Sequence, residues 1–269
     1  MAKRRIPRPE LVQRYIDLRH APQADRLKLA LEWEADPGEL AQLVKAAIDT
    51  FEDFHNRQEC FCDHEALDAP TTMANGRDLL CGLMTGGNPP GQWNVPFGKS
   101  RIKLRFLDYE VPPAKTTAKA PCFLNEFDGG GSSLLIKTDA LLLGGDGTPV
   151  VAEAKVTKPK SYDTDTFLAL VQALANACLF ATADQRERLR RCYGLASTPG
   201  AVDIALILYK PPEATRATYQ YRLDAAAWLL AHRLMGHHEM PQVIRRIMFI
   251  HALGGPPPSL EGVALEPHQ

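Results

Sequence analysis

The chain has 269 residues, with 31 Lys and Arg against 32 Asp and Glu, and 45% of its residues are hydrophobic. This composition is typical of a globular protein and excludes a wholly disordered or collagen-like chain. The net charge of −1 excludes a uniformly basic coat for nucleic acid, although a local basic groove remains compatible with it. The six cysteines are irregularly spaced, so we expect them to be reduced, without a disulfide framework.

No stretch reaches the roughly 18 consecutive apolar residues that a membrane span needs, and no apolar signal core follows the charged N-terminus. We therefore expect a cytoplasmic protein with no membrane partner. Charge is unevenly distributed, because residues 1–30 and 97–121 are basic whereas residues 31–68 are acidic. These blocks are either solvated faces that pair with each other or basic strips that flank an acidic site, which would suit a phosphate-bearing polymer.

The first third of the chain is predicted to be helical. Helices are expected from Pro9 to Arg19, from Asp25 to Trp33 and from Pro37 to Phe54, the last because its apolar residues recur at helical spacing. Residues 60–98 are rich in glycine and proline and are expected to form mostly loop, with a short helix from Asn75 to Met84.

The middle of the chain is predicted to contain strands and one long helix. Alternation of apolar and basic residues after Arg101 predicts a strand, and a turn at Gly144 to Gly147 predicts a hairpin. Further strands are expected at Cys122–Phe127, Leu134–Leu143, Val150–Val156 and Val202–Tyr209. A nearly all-apolar helix is expected from Asp165 or Thr164 to about Ala183, followed by an amphipathic segment from Asp184 to Tyr193.

The C-terminal part is predicted to be mainly helical. We expect a strand at Thr218–Leu223, a helix capped by Asp224 and ended by Gly236, and a second helix from Pro241 to about Gly254. The proline-rich tail, residues 255–269, is predicted to be disordered.

Three charged residues interrupt the apolar hairpin. Asp139 lies in one strand, and Glu153 and Lys155 lie two residues apart in the other, so that both point to the same face. The hairpin turn brings Asp139 near Glu153. Because a buried charge is costly without a partner, Mg²⁺ or Mn²⁺ held by the two carboxylates would relieve this cost. On the following helix, Gln172 and Asn176 lie four residues apart among apolar residues.

The series Asp139, Glu153-Ala154-Lys155 and a helical Gln172 resembles the PD-(D/E)XK nuclease superfamily. The resemblance covers roughly residues 37–210 and implies an α/β fold. This fold is a restriction-endonuclease-like core, with a central mixed β-sheet flanked by helices, plus N- and C-terminal helical additions. The implied organisation is a helical region 1–98 that contributes the first core helix, a nuclease-like core 99–223, C-terminal helices 224–254 packed on the core, and the tail 255–269.

The resemblance also implies an activity, that of a Mg²⁺-dependent (or Mn²⁺-dependent) deoxyribonuclease that hydrolyses phosphodiester bonds of DNA. Internal (endonucleolytic) cleavage is expected rather than cleavage from the ends. Asp139, Glu153 and the backbone carbonyl of Ala154 would hold the metal. Lys155 would orient or deprotonate the attacking water, and Gln172 would position Lys155 or the water.

Further residues are weaker candidates. Superfamily members often add an acid from the first helix, and Glu39 and Glu52 are the candidates here. Lys158, Lys160 and Lys210 lie near predicted strand ends, where they are either phosphate contacts or ordinary solvated lysines. The helical additions are candidates for forming a homodimer or for reading the target.

Several alternatives remain open from the sequence. The charged hairpin residues are also compatible with a structural ion-pair ladder. The same fold would also suit a catalytically inactive nucleic-acid-binding or scaffold protein, and the Gly/Pro-rich loop could bind a protein partner. Cys60, Cys62 and His64, with Cys81 downstream, are either zinc ligands or ordinary loop residues, and their spacing is poor for chelation.

Overall fold

The computed structural model describes residues 8–52, 69–70, 72, 74–111, 137–156, 165–196, 200–209 and 218–266. Within these ranges, helices come first and strands dominate from residue 92 onward. The helices are α1 Glu10–His20, α2 Gln23–Ala35, α3 Gly38–Glu52, α4 Gly76–Thr85, α5 Thr166–Phe180, α6 Ala183–Cys192 and α7 Thr218–Met235. The strands are β1 Gln92–Phe97, β2 Ser100–Val111, β3 Thr138–Gly144, β4 Pro149–Val156, β5 Val202–Tyr209, β6 Ile244–Leu253 and β7 Ser259–Leu265.

The helix predictions in the first two thirds of the chain are confirmed, with shifts of a few residues at the ends. Side-chain caps explain two of the starts. Asn75 accepts a hydrogen bond from the Asp78 N–H at the start of α4, and Asp165 accepts one from the Leu168 N–H at the start of α5. Every residue of α5 is buried, which explains why this helix has apolar residues on all of its faces.

The seven strands form one closed barrel in the order β1-β2-β3-β4-β5-β6-β7. Strands β1 to β4 pair antiparallel in succession, β4, β5 and β6 pair parallel, and β6 and β7 pair antiparallel. The barrel closes where Phe97 of β1 meets Gly262 of β7 in a parallel pair. A Cβ atom at Gly262 would lie 2.5 Å from the Phe97 ring, so only glycine allows this close approach.

The sheet separates two apolar clusters. The barrel interior contains Ala152 and Ala154 of β4, and α4 contributes Leu79 and Leu83 to it. The outer cluster contains Val151 of β4 and the buried faces of helices α1, α2, α3, α5 and α7. Because side chains alternate along a strand, the remaining odd-numbered positions of β4 face the helices rather than the interior. Glu153 and Lys155 are among these odd-numbered positions, so the candidate site lies on the helix-facing side of β4.

The expected open sheet of a restriction-endonuclease-like fold is therefore wrong, since the strands form a closed mixed barrel with helices around it. Two strands that the sequence analysis missed cause the difference. Strand β1 lies in the region that was predicted to be mostly loop, and β7 lies in the tail 255–269 that was predicted to be disordered. Glycine and proline around both segments obscured their alternating burial, and these two strands supply the closing edge.

Two further predictions near the C-terminus are wrong. The strand expected at Thr218–Leu223 is the first part of α7, so Asp224 lies inside this helix and does not cap it. The second helix expected within 224–254 is strand β6. A short apolar run has the same appearance in a buried strand as in a buried helix, which explains the error. The strand expected at Cys122–Phe127 lies outside the described residues.

Among the described helices, none is by itself long and apolar enough to cross a membrane. Helices α5 and α6 meet the length and composition requirement only together, and they are bent by 87° relative to each other.

Candidate active site

The β3–β4 hairpin brings the two acidic side chains together. Its turn includes Gly147 at φ 84°, a left-handed conformation that favours glycine. Ala140 and Ala152 form the last β3–β4 pair, and continuing this antiparallel register places Asp139 opposite Glu153. The predicted hairpin and the predicted proximity of the two carboxyl groups are therefore both present.

The Lys155 ammonium lies between the two carboxyl groups. Its Nζ atom is 2.7 Å from Asp139 Oδ2 and 3.0 Å from Glu153 Oε2. The side chain of Glu153 is fully buried, whereas those of Asp139 and Lys155 are 22% and 16% exposed. The three groups thus form one compact charged cluster, which reaches solvent on the Asp139 side.

The backbone at the end of the hairpin contributes to the same cluster. The Ala154 N–H donates to Asp139 Oδ2 at 3.0 Å, so the carboxylate accepts a backbone hydrogen bond beyond the last β3–β4 pair. The Thr138 hydroxyl donates to the carbonyl of Ala152, in the last β3–β4 pair, at 2.9 Å. The Ala154 carbonyl oxygen lies beside Gly76, where an added Cβ would be 3.6 Å away.

Helix α5 supplies two amides to the cluster. Gln172 Oε1 lies 3.4 Å from Lys155 Nζ, and its Nε2 donates to the Lys137 carbonyl at 3.0 Å. Asn176 Nδ2 donates to Glu153 Oε1 at 3.3 Å. The four-residue spacing of these amides places both on the helix face that covers β4. The structure therefore brings together Asp139, Glu153, Lys155 and Gln172, and it adds Asn176.

Burial and mutual charge control the protonation of the cluster. Burial raises the pKa of Glu153 well above its usual value, and the Asp139 carboxylate raises it further, against the opposing effect of Lys155. Burial also raises the pKa of Asp139, but attraction to Lys155 and hydrogen bonds outweigh it, so that this pKa is lowered. Burial lowers the pKa of Lys155, but the two carboxyl groups raise it above its usual value, so the ammonium stays charged.

Tyr15 of α1 is a nearby group that sequence reasoning missed. Burial raises the pKa of its hydroxyl, Glu153 raises it further, and Lys155 and Arg19 oppose this rise. The side chain therefore lies within electrostatic reach of the cluster. The sequence feature that could have identified Tyr15 is its position on the buried face of α1, with Leu11 and Leu18.

The donors fit a divalent cation bound by oxygen. Two carboxyl groups share a single ammonium, and burial together with the Asp139 carboxylate raises the pKa of Glu153. A divalent cation would compensate the second negative charge, and carboxylate and carbonyl oxygens are suitable ligands for Mg²⁺ or Mn²⁺. Within the described ranges, no group of three or more His, Cys, Asp and Glu side chains is arranged to hold a metal. A metal at this cluster would have the carboxyl oxygens of Asp139 and Glu153 as its side-chain ligands, with the Ala154 carbonyl as the backbone ligand that the resemblance implies.

The two candidates for an additional acid lie elsewhere in the described structure. Glu39 accepts a hydrogen bond from Trp33 Nε1 at 3.0 Å and forms an ion pair with Arg14 at 3.5 Å. Glu52 is exposed at the end of α3, where its charge acts on Arg186. Neither glutamate contacts the cluster, because both lie on exposed positions of α3 rather than on its buried face.

Several other predicted site residues lie outside the described residues. These are the three lysines near the strand ends, Lys158, Lys160 and Lys210, and the possible zinc ligands Cys60, Cys62 and His64. Cys81 is described, and it is buried on α4. The zinc and phosphate-contact predictions therefore remain predictions.

Comparisons of the chain with family models, with curated proteins and with solved structures gave no significant match.

Proposed function

We propose that this protein is a metal-dependent nuclease that hydrolyses phosphodiester bonds of DNA by internal cleavage in the cytoplasm. The observation that carries the proposal is the position of Lys155, whose Nζ lies within 3.0 Å of both Asp139 and Glu153. An acid, a second acid and a lysine in one cluster form the side-chain set of the PD-(D/E)XK nucleases. The similarity concerns these side chains and the strand pair that carries them, and the barrel around them differs.

Two carboxylates and one backbone carbonyl would hold the ion, namely those of Asp139, Glu153 and Ala154. When bound, Mg²⁺ or Mn²⁺ supplies Lewis acidity that relieves negative charge on the reacting phosphate and favours ionisation of water. Asp139 is the more exposed acid, so it would face the substrate, whereas Glu153 is fixed from behind by Asn176.

Lys155 would act through its charge. Its ammonium would donate a hydrogen bond to the attacking water or to a phosphate oxygen, and this interaction strengthens as negative charge develops in the transition state. Gln172 would act as a positioning residue, because it links the Lys155 amine to the carbonyl of Lys137, the residue just before β3. Holding the amine at a fixed point reduces the reorganisation that the reaction requires.

A second candidate function is nucleic-acid binding without catalysis. One observation favours it, namely that the Lys155 ammonium already contacts both carboxyl groups and so compensates part of their charge without a metal. In that case the cluster would be a structural ion-pair network inside a binding protein.

A plasmid-cleavage assay in Mg²⁺, in Mn²⁺ and in EDTA tests the proposal. We expect the wild-type chain to nick plasmid DNA only with metal, and we expect Asp139→Asn and Lys155→Ala to lower the rate about 10²–10³-fold. Asp184→Asn and Lys45→Ala, on the exposed surfaces of α6 and α3, serve as matched controls and should cleave normally. Equal cleavage by all variants would refute the site. DNA binding by a wild-type chain that never cleaves would support the second candidate.

A further inference from the structure

The β1–β2 hairpin presents a row of cations on its outer face. Arg101, Lys103 and Arg105 alternate along β2 and are exposed, whereas Leu104 between them points into the barrel. Across the hairpin, Asn94 pairs with Lys103 and Gln92 pairs with Arg105, so amide side chains lie beside the cations. The other side of the hairpin packs against the barrel core, so this outer face is the one that meets solvent.

A cavity of about 420 Å³ lies along this row. Of the described residues, the two cations Lys103 and Arg105 line it together with three amide-bearing residues. Its floor includes Gly145, whose N–H donates to the Lys103 carbonyl at 2.8 Å. A Cβ at this glycine would lie 3.0 Å from the Lys103 side chain, so glycine allows the turn to approach Lys103 closely. The amide-bearing residues that line the cavity are Asn88, Gln92 and Asn94.

Among the residues that the structure describes, no acidic residue lines this cavity. Within the part of the chain that the structure describes, Arg101, Lys103 and Arg105 form no ion pair with a carboxylate. Asp146, in the adjacent turn, is already engaged by Arg245 at 2.6 Å. A row of three like charges without counter-charges is unfavourable in isolation, and it is a feature expected of a surface that binds a polyanion.

The spacing of the row matches a nucleic-acid backbone. Alternate residues of a strand are about 6.8 Å apart, which is close to the separation of successive phosphates along an extended nucleic-acid strand. Arginine and lysine neutralise phosphates, and asparagine and glutamine can donate to sugars and to base edges. A small anion such as inorganic phosphate would use only one of the three cations, whereas a strand would use all of them.

We propose that the outer face of the β1–β2 hairpin binds the sugar–phosphate backbone of a DNA strand, with successive phosphates on Arg101, Lys103 and Arg105. This inference rests on the proposed nuclease function, because it assigns the substrate of that site a second contact surface. Arg105 pairs with Leu143, which shares a face of β3 with Asp139 four residues away, or about 13 Å along the strand. The row would therefore hold DNA a few nucleotides from the site of cleavage.

DNA binding in EDTA tests the inference separately from cleavage. Fluorescence anisotropy of a labelled oligonucleotide, single-stranded and duplex, is measured at several salt concentrations for the wild type and for R101Q/K103Q/R105Q. We expect the triple variant to bind about tenfold more weakly or worse, with a slope of log Kobs against log salt that is shallower by about two. Inorganic phosphate at the same ionic strength should not displace the oligonucleotide.

A matched control removes the same number of charges elsewhere. In K28Q/K45Q/R191Q the three side chains are exposed on α2, α3 and α6, and we expect binding and salt slope to stay at the wild-type values. Melting curves of both variants should coincide with that of the wild type, because all six side chains lie in solvent.

The outcomes separate the two proposals. Unchanged binding by R101Q/K103Q/R105Q, equal weakening by both triple variants, or no binding by the wild type would each overturn the inference. Metal-dependent cleavage by the wild type together with an unaffected triple variant would leave the proposed function intact. Binding that depends on the row, in a chain that never cleaves, would overturn the function and support the row.

Discussion

Asn176 Nδ2 donates a hydrogen bond to Glu153 Oε1 at 3.3 Å, and through it α5 fixes the most deeply buried acid of the site. The Asn176 side chain is itself fully buried, and its Oδ1 has no hydrogen-bond partner among the described groups. The hydrogen bond to Glu153 is thus the interaction that orients this amide.

Replacing Asn176 by Leu tests this orientation. The variant keeps the volume but leaves Glu153 without its donor, so we expect cleavage to fall about 10–100-fold, as for outer-shell partners of metal ligands. Stability should change by only about 1–3 kcal/mol. Paired cleavage and thermal-melt measurements check this, with Cys178→Ala on the same helix as a control for core substitution. Full activity in Asn176→Leu would show that Glu153 needs no such support.

Lys155 is expected to hold the carboxyl pair in the absence of metal. Lys155→Met removes the ammonium from two buried acids, so we expect a loss of about 3–5 kcal/mol in the free energy of unfolding in EDTA. Mn²⁺ should restore part of this loss, because it supplies the missing positive charge. Lys137→Met is the matched control, since Lys137 pairs with Glu110 at an exposed position, and it should cost about 1 kcal/mol or less.

Urea unfolding of both lysine variants, with and without Mn²⁺, gives the measurement. Equal stability of Lys155→Met and the wild type in EDTA would contradict the role of the ammonium as a structural counter-charge.

Closure of the barrel is expected to depend on Gly262. A Cβ there would lie 2.5 Å from the Phe97 ring and 2.9 Å from the Phe249 carbonyl, so Gly262→Ala must shift β7 or the ring. We expect a loss of about 1–3 kcal/mol, which is typical of overpacking. Gly255→Ala is the control, because a Cβ there meets nothing within 4 Å. A thermal melt that does not distinguish the two variants would argue against the tight Phe97 contact.

The ion pair between Asp146 in the β3–β4 turn and Arg245 is expected to give a pH-dependent contribution to stability. Burial raises the pKa of Asp146, but hydrogen bonds from Arg245 and from the Thr148 N–H outweigh it and lower this pKa to about 2. A carboxyl with a depressed pKa stabilises the fold above its unfolded pKa of about 4, and the contribution is lost as the pH falls toward 2.

Asp146→Asn should therefore destabilise the protein at pH 6 by about 0.5–1 kcal/mol, a small value because the pair is partly exposed and screened by solvent. The difference from the wild type should narrow steadily below pH 4. Denaturant unfolding at a series of pH values measures it. A difference that stays constant down to pH 3 would mean that the Arg245 contact does not contribute through charge.

Much of the local structure could be predicted because it depends on neighbouring residues. The helical spacing in α3, the cap of α5 by Asp165 and the turn at Gly144 to Gly147 are all visible in short windows of sequence. The proximity of Asp139 to Glu153 could also be inferred, since a short turn leaves few registers for a hairpin. The proximity of Lys155 and Gln172 required only one additional assumption, that the next helix covers the hairpin.

Only the tertiary structure decided the closure of the sheet, the buried contact of Asn176 with Glu153 and the exclusion of Glu39 from the site. Each depends on residues far apart in the chain, and no local pattern specifies which distant surfaces meet. The order of residues alone shows that two acids and one lysine interrupt an apolar hairpin. The barrel determined what surrounds them. Strand β7 pairs with β6 in a local hairpin, but its contact with β1 depends on packing across more than 160 residues, from Phe97 to Gly262.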